Sequence, residues 1–225
     1  MNKFALKIFI FIFFFSNSIF YSDAFVSKND QGVKKNLHVV RKFDSIRETF
    51  DNFYAVEKDM FYRSKQLSST NLDFYIKKYG IKSVVNLRGV NKHRKWWKKE
   101  RQVTLDNNVY FYNISMRAEK LPSKHNIKKL INIFESAPKP ILVHCFYGAD
   151  RTGEACAVWS LMRDEIKKVD LNESKKKALE QLSIKYGHIK KIMPAKTFFI
   201  ELWQGKQWAI DEYDPSLYKK YYDKP

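Results

Sequence analysis

One stretch of the chain, residues 140–163, constrains the fold more than any other. It opens on a short apolar strand, Pro140-Ile141-Leu142-Val143. The strand runs into the segment His144-Cys145-Phe146-Tyr147-Gly148-Ala149-Asp150-Arg151-Thr152-Gly153. A helix is predicted from near Thr152, because apolar residues then recur at helical spacing: Ala155, Val158, Trp159 and Met162. A strand, a tight loop and a helix in direct succession are typical of an α/β domain.

The rest of the chain repeats this alternation of strands and helices. Strands are predicted at Tyr54 to Val56, Met60 to Arg63 (after a Lys58-Asp59 turn), Ile81 to Leu87 and Val109 to Ile114. Helices are predicted near 72–79 (with Gly80 as C-cap), 93–105, 127–134, 172–185 and 195–208. We therefore expect a single α/β domain at 41–210, with a central, mostly parallel sheet flanked by helices and a C-terminal tail at 211–225.

The first residues have the pattern of a secretory signal. Lys3 and Lys7 precede an apolar run from Ile8 to Phe15, and Ser22-Asp23-Ala24 offers small residues for cleavage. A membrane span needs about 20 apolar residues, more than this run supplies. We predict a signal peptide at 1–24, a lysine-rich linker at 25–40, and export to the periplasm or the medium. An uncleaved N-terminal anchor is the alternative.

The charge balance is strongly basic, with a formal net charge of +18. Such a balance favours anionic partners, namely phosphate groups or an acidic membrane surface. A solvated basic surface is the plainer interpretation for most of the lysines. No nucleic-acid-binding module is recognisable, so we expect no nucleic-acid partner. We also expect the protein to be a monomer.

The chain has two cysteines, and they are expected to differ in role. With a helix between them, Cys145 and Cys156 would lie about 16 Å apart along its axis, too far for a disulfide. Cys156 falls among apolar residues at helical spacing, so it is predicted to pack in the core. Cys145 is therefore the candidate for the reactive cysteine.

Residues 145–151, called here the cysteine loop, can bind an anion. Backbone N–H groups at a helix N-terminus are unpaired and carry partial positive charge. Gly148 can adopt a positive φ that lets the loop curl, and Arg151 can grip two phosphate oxygens. The same field favours the thiolate of Cys145. Thr152 can donate its hydroxyl to the sulfur, and His144 can order the loop.

His-Cys-x5-Arg-Thr-Gly resembles the signature of the cysteine-dependent protein tyrosine phosphatases, and most of all their bacterial exported members of dual-specificity type. Weaker likenesses are Phe61-Tyr62-Arg63-Ser64 with Gln66, Ile81 to Gly89, and Tyr186-Gly187-His188. The resemblance covers roughly 54–203. It implies a phosphate-binding loop between strand and helix, a phosphocysteine intermediate, and no metal or cofactor. It also implies a phosphorylated substrate, first of all phosphotyrosine in proteins, with phosphoserine and phosphothreonine next.

Other functions stay open. Inositol phosphates or phosphoinositides are alternative substrates, a phosphate-binding module with weak turnover is a second alternative, and rhodanese-type sulfur transfer is a third. The binding module is considered because the general acid departs from the family pattern. The family places an aspartate on a loop upstream of the cysteine, where residues 115–122 here carry only Glu119. Asp150 is the rival candidate for this acid, and each residue also has a plain structural interpretation.

The remaining candidates for substrate binding surround the cysteine. They are His144, Phe146, Tyr147, Gly148, Ala149 and Arg88. Arg88 follows the strand that ends at Leu87, so it should lie at the same sheet edge as the cysteine loop. The basic run 92–101 could collect an acidic substrate or membrane, or be a solvated helix face with Trp96 and Trp97 packed inward.

Overall fold

A computed structural model describes residues 44–222, and its residues from Ser45 onward form one compact unit. The predicted signal peptide and linker lie outside the described residues. Within the described part of the chain, no helix has the length and apolarity needed to cross a membrane.

Five strands form one mixed sheet. They are β1 (Tyr54–Glu57), β2 (Phe61–Ser64), β3 (Ser83–Asn86), β4 (Tyr110–Asn113) and β5 (Ile141–His144). The order across the sheet is β1-β2-β5-β3-β4, with β1 antiparallel to β2 and every other pair parallel. The predicted α/β domain with a mostly parallel sheet is confirmed.

Helices connect and cover the strands. The first, α1, is described over 44–50. The others are α2 (Ser69–Tyr79), α3 (Lys95–Asp106), α4 (Lys124–Ser136), α5 (Asp150–Ile166), α6 (Leu171–Leu179), α7 (Pro194–Leu202), α8 (Lys206–Asp211) and α9 (Lys219–Tyr222). Short 3-10 helices lie at Ile184–Tyr186 and Pro215–Tyr218. Gly80 ends α2 with φ of 60°, as its position in the sequence predicts.

Two hydrophobic clusters cover the two faces of the sheet, because neighbouring residues of a strand point to opposite sides. Phe61 and Val143 join the cluster that includes α4, α5 and α7, whereas Tyr62 and Leu142 join the one that includes α2. Burial on both faces agrees with the unbroken apolar run Ile141-Leu142-Val143 of the central strand β5.

Three boundaries differ from the prediction. The helix predicted at 195–208 is two helices, since Gly205 adopts φ of 128° and Glu165 accepts the Lys206 N–H that begins α8. The helix predicted at 172–185 ends at Leu179. Packing also continues past residue 210, because Tyr213 is fully buried and its hydroxyl donates to the Pro122 carbonyl.

The register of the three central strands positions the site. His144 at the end of β5 is paired with Ser64 of β2 on one side and with Asn86 of β3 on the other. The chain segments that leave these strands therefore meet at one edge of the sheet, where α/β proteins bind ligands.

Candidate active site

The cysteine loop begins directly at the end of β5 and closes at the N-terminus of α5. Cys145 is buried, and its Sγ accepts a hydrogen bond from the Gly148 N–H at 3.3 Å. Gly148 has φ of 75°, the positive value expected from the sequence. The loop therefore curls back on the sulfur, as a loop that wraps around an anion would.

The underside of the loop rests on the end of β2. A Cβ at Gly148 would lie 2.7 Å from the Ser64 carbonyl oxygen and from the Lys65 nitrogen, so no larger residue fits. Arg63 is fully buried and donates to the Gly148 carbonyl at 2.8 Å and to the Gln181 carbonyl at 2.9 Å. Its guanidinium also lies 3.7 Å from the centre of the Tyr186 ring. The sequence indicated Arg63 only as part of a motif; the structure shows that it braces the loop.

A pocket opens above Cys145. Its lining residues are Arg88, Asn91, Ala118, Cys145, Phe146, Tyr147, Asp150, Arg151 and Met193. Six of the predicted site residues thus meet here. His144, Gly148, Ala149 and Thr152 are buried outside this lining.

Arg151 and Thr152 retain unused hydrogen-bonding capacity. Arg151 Nη1 makes a long 3.5 Å contact with the Met116 carbonyl, and its Nε is buried without a partner among the described residues. The Thr152 hydroxyl is likewise buried and without a partner there. Unsatisfied donors of this kind are uncommon in folded proteins, and at this loop they suit a bound oxyanion and the cysteine sulfur.

His144 forms one end of a polar chain that the sequence did not reveal. Its Nε2 lies 2.6 Å from Glu100 Oε1, and both side chains are almost completely buried. Gln66 donates to the other oxygen of Glu100 at 3.1 Å, and its own oxygen accepts from Arg88 at 2.9 Å. The Gln66 backbone N–H also donates to the Phe146 carbonyl at 3.0 Å. This chain joins the residue before the nucleophile to the pocket rim.

Arg88 is held at that rim by aromatic rings as well. Its guanidinium lies 3.6 Å from the Trp96 ring centre and 4.9 Å from that of Phe146. Burial and the nearby positive charge of Arg151 lower the pKa of Arg88. Two positively charged guanidinium groups therefore face one pocket and repel each other. An anion placed there relieves this repulsion.

Glu119 does not line the pocket. It accepts a hydrogen bond from Arg117 Nε at 2.7 Å. Partial burial acts to raise the pKa of Glu119, but its own backbone N–H, Arg117 and the charge of Lys196 together lower it. A general acid has to carry a proton, so neither position nor charge state supports this candidate.

Asp150 is the candidate that the pocket does contain. Its Oδ1 lies 2.7 Å from His188 Nδ1. The Asp150 side chain is 18% exposed, whereas that of His188 is fully buried. The geometry therefore favours Asp150 over Glu119 as the proton donor.

A buried ion pair fixes the neighbouring loop at residues 115–122. Lys196 Nζ donates to Glu154 Oε2 at 2.9 Å and to the Lys120 carbonyl at 2.7 Å, and both side chains are fully buried. Burial raises the pKa of Glu154 to about 7 even though Lys196 lowers it. Because this pair anchors Lys120, the loop is tied to α5.

Cys156 packs in the core, as predicted. It is fully buried on α5, and burial raises the pKa of its thiol to about 11. Such a thiol is unreactive at neutral pH. Both cysteines are free, in agreement with the expected absence of a bridge between them.

Comparison with known proteins gives a consistent result. The family model described as "DSP-PTPase phosphatase fused to NAD+ Kinase" matches residues 32–191. A phosphotyrosine complex of a cysteine-to-serine variant of P. aeruginosa TpbA is 19% identical, covers 73% of this chain and 93% of its own, and superposes with a TM-score of 0.51. The core catalytic domain of the PP-IP phosphatase SIW14 of S. cerevisiae is 20% identical, with coverage of 68% and 85% and a TM-score of 0.52.

A putative phosphatase of Shewanella putrefaciens is 12% identical, with coverage of 68% and 93% and a TM-score of 0.51. No curated protein matches the chain. At such identities the likeness to solved structures establishes only the shared fold. The family assignment rests on the family model, which spans most of the chain.

Proposed function

This chain belongs to the family of cysteine-dependent, dual-specificity-type phosphatases, and from that membership we propose that it hydrolyses phosphotyrosine in proteins through a phosphocysteine intermediate. The observation that carries the proposal is the cysteine loop itself. Cys145 Sγ receives the Gly148 N–H at 3.3 Å in a pocket that also contains Arg151.

The first step is attack by the Cys145 thiolate on phosphorus. Arg151 and the loop N–H groups hold the phosphoryl oxygens, and they stabilise the charge that develops in the transition state. The S–P bond forms as the bond to the leaving oxygen breaks. Asp150, at the pocket wall, supplies the proton that this oxygen takes up.

The second step returns the enzyme to its starting state. Water attacks the phosphocysteine, Asp150 accepts a proton from that water, and inorganic phosphate leaves as the electron pair of the S–P bond returns to sulfur. The Thr152 hydroxyl, buried and without a partner in the described chain, is available to donate to the departing sulfur.

The rim of the pocket supports an aromatic phosphoester. Phe146 and Tyr147 are 46% and 72% exposed beside Cys145, and large exposed aromatic side chains at a pocket commonly mark a binding surface. They can contact the ring of a phosphotyrosine. The similar TpbA structure holds phosphotyrosine, which agrees with this choice.

A second substrate class has a specific observation in its favour. Arg88 faces the same pocket, and its guanidinium donates a hydrogen bond to the neutral side chain of Gln66 at 2.9 Å. A second anionic group on the substrate would pair with it, as in inositol phosphates or phosphoinositides. The similar SIW14 structure is described as a PP-IP phosphatase.

Export and an acidic membrane partner complete the proposal. The basic charge of the chain and the exposed lysines at 92–99 support contact with an acidic surface. The N-terminal charge and apolar pattern supports export. Fractionation of cells that express the full chain would test it.

Substrate class is tested by assaying the full chain under reducing conditions. We expect turnover of p-nitrophenyl phosphate, and of phosphotyrosine peptides in preference to inositol phosphates, with none by Cys145→Ser. Binding of phosphopeptide without turnover of either substrate by the wild type would instead identify a binding module.

A further inference from the structure

Resting on the proposed function, the geometry points to His188 as the positioning residue for Asp150. We infer that its neutral ring holds one carboxyl oxygen and leaves the other free to carry the catalytic proton. No residue in the loop at 115–122 fills this role, because its one carboxylate pairs with Arg117. His188 and Asp150 together would thus supply the acid function that the upstream loop lacks.

The contact between His188 and Asp150 is short, and only Asp150 is open to the pocket. His188 Nδ1 lies 2.7 Å from Asp150 Oδ1, while Asp150 lines the pocket together with Cys145 and Arg151. The imidazole is fully buried, and its Nε2 has no hydrogen-bond partner among the described residues. The carboxyl group is therefore open to the pocket, and the ring is enclosed by protein.

The backbone that carries His188 is fastened to the cysteine loop. Asn52 Nδ2 donates to the carbonyls of Tyr147 and Tyr186, each at 3.0 Å. The His188 N–H donates to the Ser183 carbonyl at 3.1 Å, and Gly187 between them adopts φ of 84°. Because Asn52 bonds to both segments, it holds the backbone near His188 against the cysteine loop.

The hydrogen-bond partners of the ring match one N–H donor, on Nδ1. A second N–H, on Nε2, would be buried without an acceptor among the described residues. With its hydrogen on Nδ1 the ring donates to Asp150 and leaves only a lone pair unsatisfied, which costs less.

The protons balance over the cycle. With Oδ1 held by His188 Nδ1–H, the proton resides on Oδ2 and passes to the leaving oxygen as its bond to phosphorus breaks. The resulting carboxylate then accepts a proton from the water that attacks the phosphocysteine. His188 neither gains nor loses a proton, so its role is to position Asp150.

The test is the dependence of kcat/KM on the leaving group in the full-length protein, because kcat/KM reports the steps up to departure of the leaving group and not the later hydrolysis of the phosphocysteine. The substrates are phenyl phosphate, whose leaving group needs a proton, and p-nitrophenyl phosphate, whose leaving group needs little help. For His188→Ala and Asp150→Asn we expect kcat/KM on phenyl phosphate to fall about 10²-fold or more, and on p-nitrophenyl phosphate less than about tenfold. His188→Asn, whose amide nitrogen can replace Nδ1, should recover most of the loss. His125→Asn, an exposed histidine on α4, is the matched control and should behave as wild type.

The possible outcomes distinguish the role of His188 from the proposed phosphatase function. Equal losses on both substrates in His188→Ala, or no recovery in His188→Asn, would overturn the role of His188 while the phosphatase stands. No turnover of either substrate by the wild type would overturn the proposed function and this inference with it. If His188→Ala fails to fold, His188→Asn decides: a wild-type leaving-group dependence supports the inference, and a dependence as steep as that of Asp150→Asn contradicts it.

Discussion

Two histidine–carboxylate pairs flank the cysteine loop, and they differ in what their carboxylates can reach. In the pair before the nucleophile, His144 and Glu100 are 2% and 4% exposed, so both groups are closed to the pocket. In the pair after the loop, His188 is fully buried but Asp150 is 18% exposed and lines the pocket. The two pairs therefore differ in access to the pocket, which agrees with a structural role for Glu100 and with the catalytic role proposed for Asp150.

Accessibility distinguishes the two roles. A buried carboxylate has no route by which to pass a proton to a substrate, and Glu100 lies against His144 with one oxygen and accepts from Gln66 with the other. Asp150 has one oxygen held by His188, and its side chain remains partly open to the pocket. Four expected effects test this contrast and the roles assigned around it, from the largest to the smallest.

The largest effect should be on folding stability. Glu100→Ala leaves His144 buried without its partner, and breaking a buried pair in this way typically costs about 3–5 kcal/mol. Asp150→Ala should cost only about 1 kcal/mol, since water in the pocket can reach the Nδ1 of His188. Urea unfolding of the two variants measures both, and equal losses would contradict the contrast.

The second effect concerns the kind of activity that is lost. Glu100→Gln keeps the size of the side chain but weakens its bond to His144, so we expect kcat to fall by about tenfold on phenyl phosphate and p-nitrophenyl phosphate alike. A loss confined to phenyl phosphate would mean that Glu100, too, takes part in proton transfer. His125→Asn serves again as the unaffected variant.

The third effect separates substrate binding from chemistry. Arg88→Gln removes a positive charge from the pocket rim, and we expect KM for a substrate that carries a second phosphate group to rise about tenfold with kcat little changed. KM for p-nitrophenyl phosphate should rise less. Equal changes for the two substrates would show that Arg88 only supports the loop through Gln66.

The smallest effect is expected at Glu119. Partial burial acts to raise the pKa of Glu119, but hydrogen bonds and the charge of Arg117 outweigh burial and lower it. Glu119 is therefore ionised at neutral pH and has no proton to give. Glu119→Gln should change kcat on phenyl phosphate by less than about threefold. A loss as large as that of Asp150→Asn would return Glu119 to the mechanism.

The sequence predicted the part of the site whose residues are contiguous in the chain. The strand, the cysteine loop and α5 follow one another in the chain, so residue types and spacing were sufficient to place Cys145, Gly148 and Arg151. Helical spacing failed at Gly205, because apolar residues continue on both sides of the break. The burial of Tyr213 was equally invisible, since its partner Pro122 lies far away in the chain.

The missing parts of the site are contacts between distant segments. Glu100 was visible only as one acid in a basic run, and nothing local indicated that it faces His144. Arg63 and His188 stood in motifs, but the Gly148 carbonyl and Asp150 that they contact belong to the cysteine loop. Pairings of this kind depend on how the sheet edge assembles, which residue spacing does not specify.

The most direct test of the mechanism is to trap the covalent intermediate. Wild-type protein turning over p-nitrophenyl phosphate is quenched rapidly in acid, digested and analysed by mass spectrometry. We expect one phosphoryl group on the peptide that contains Cys145, and none in Cys145→Ser or on Cys156. Steady turnover with no phosphoryl group on Cys145, or with the group on another residue, would contradict nucleophilic catalysis by this thiol.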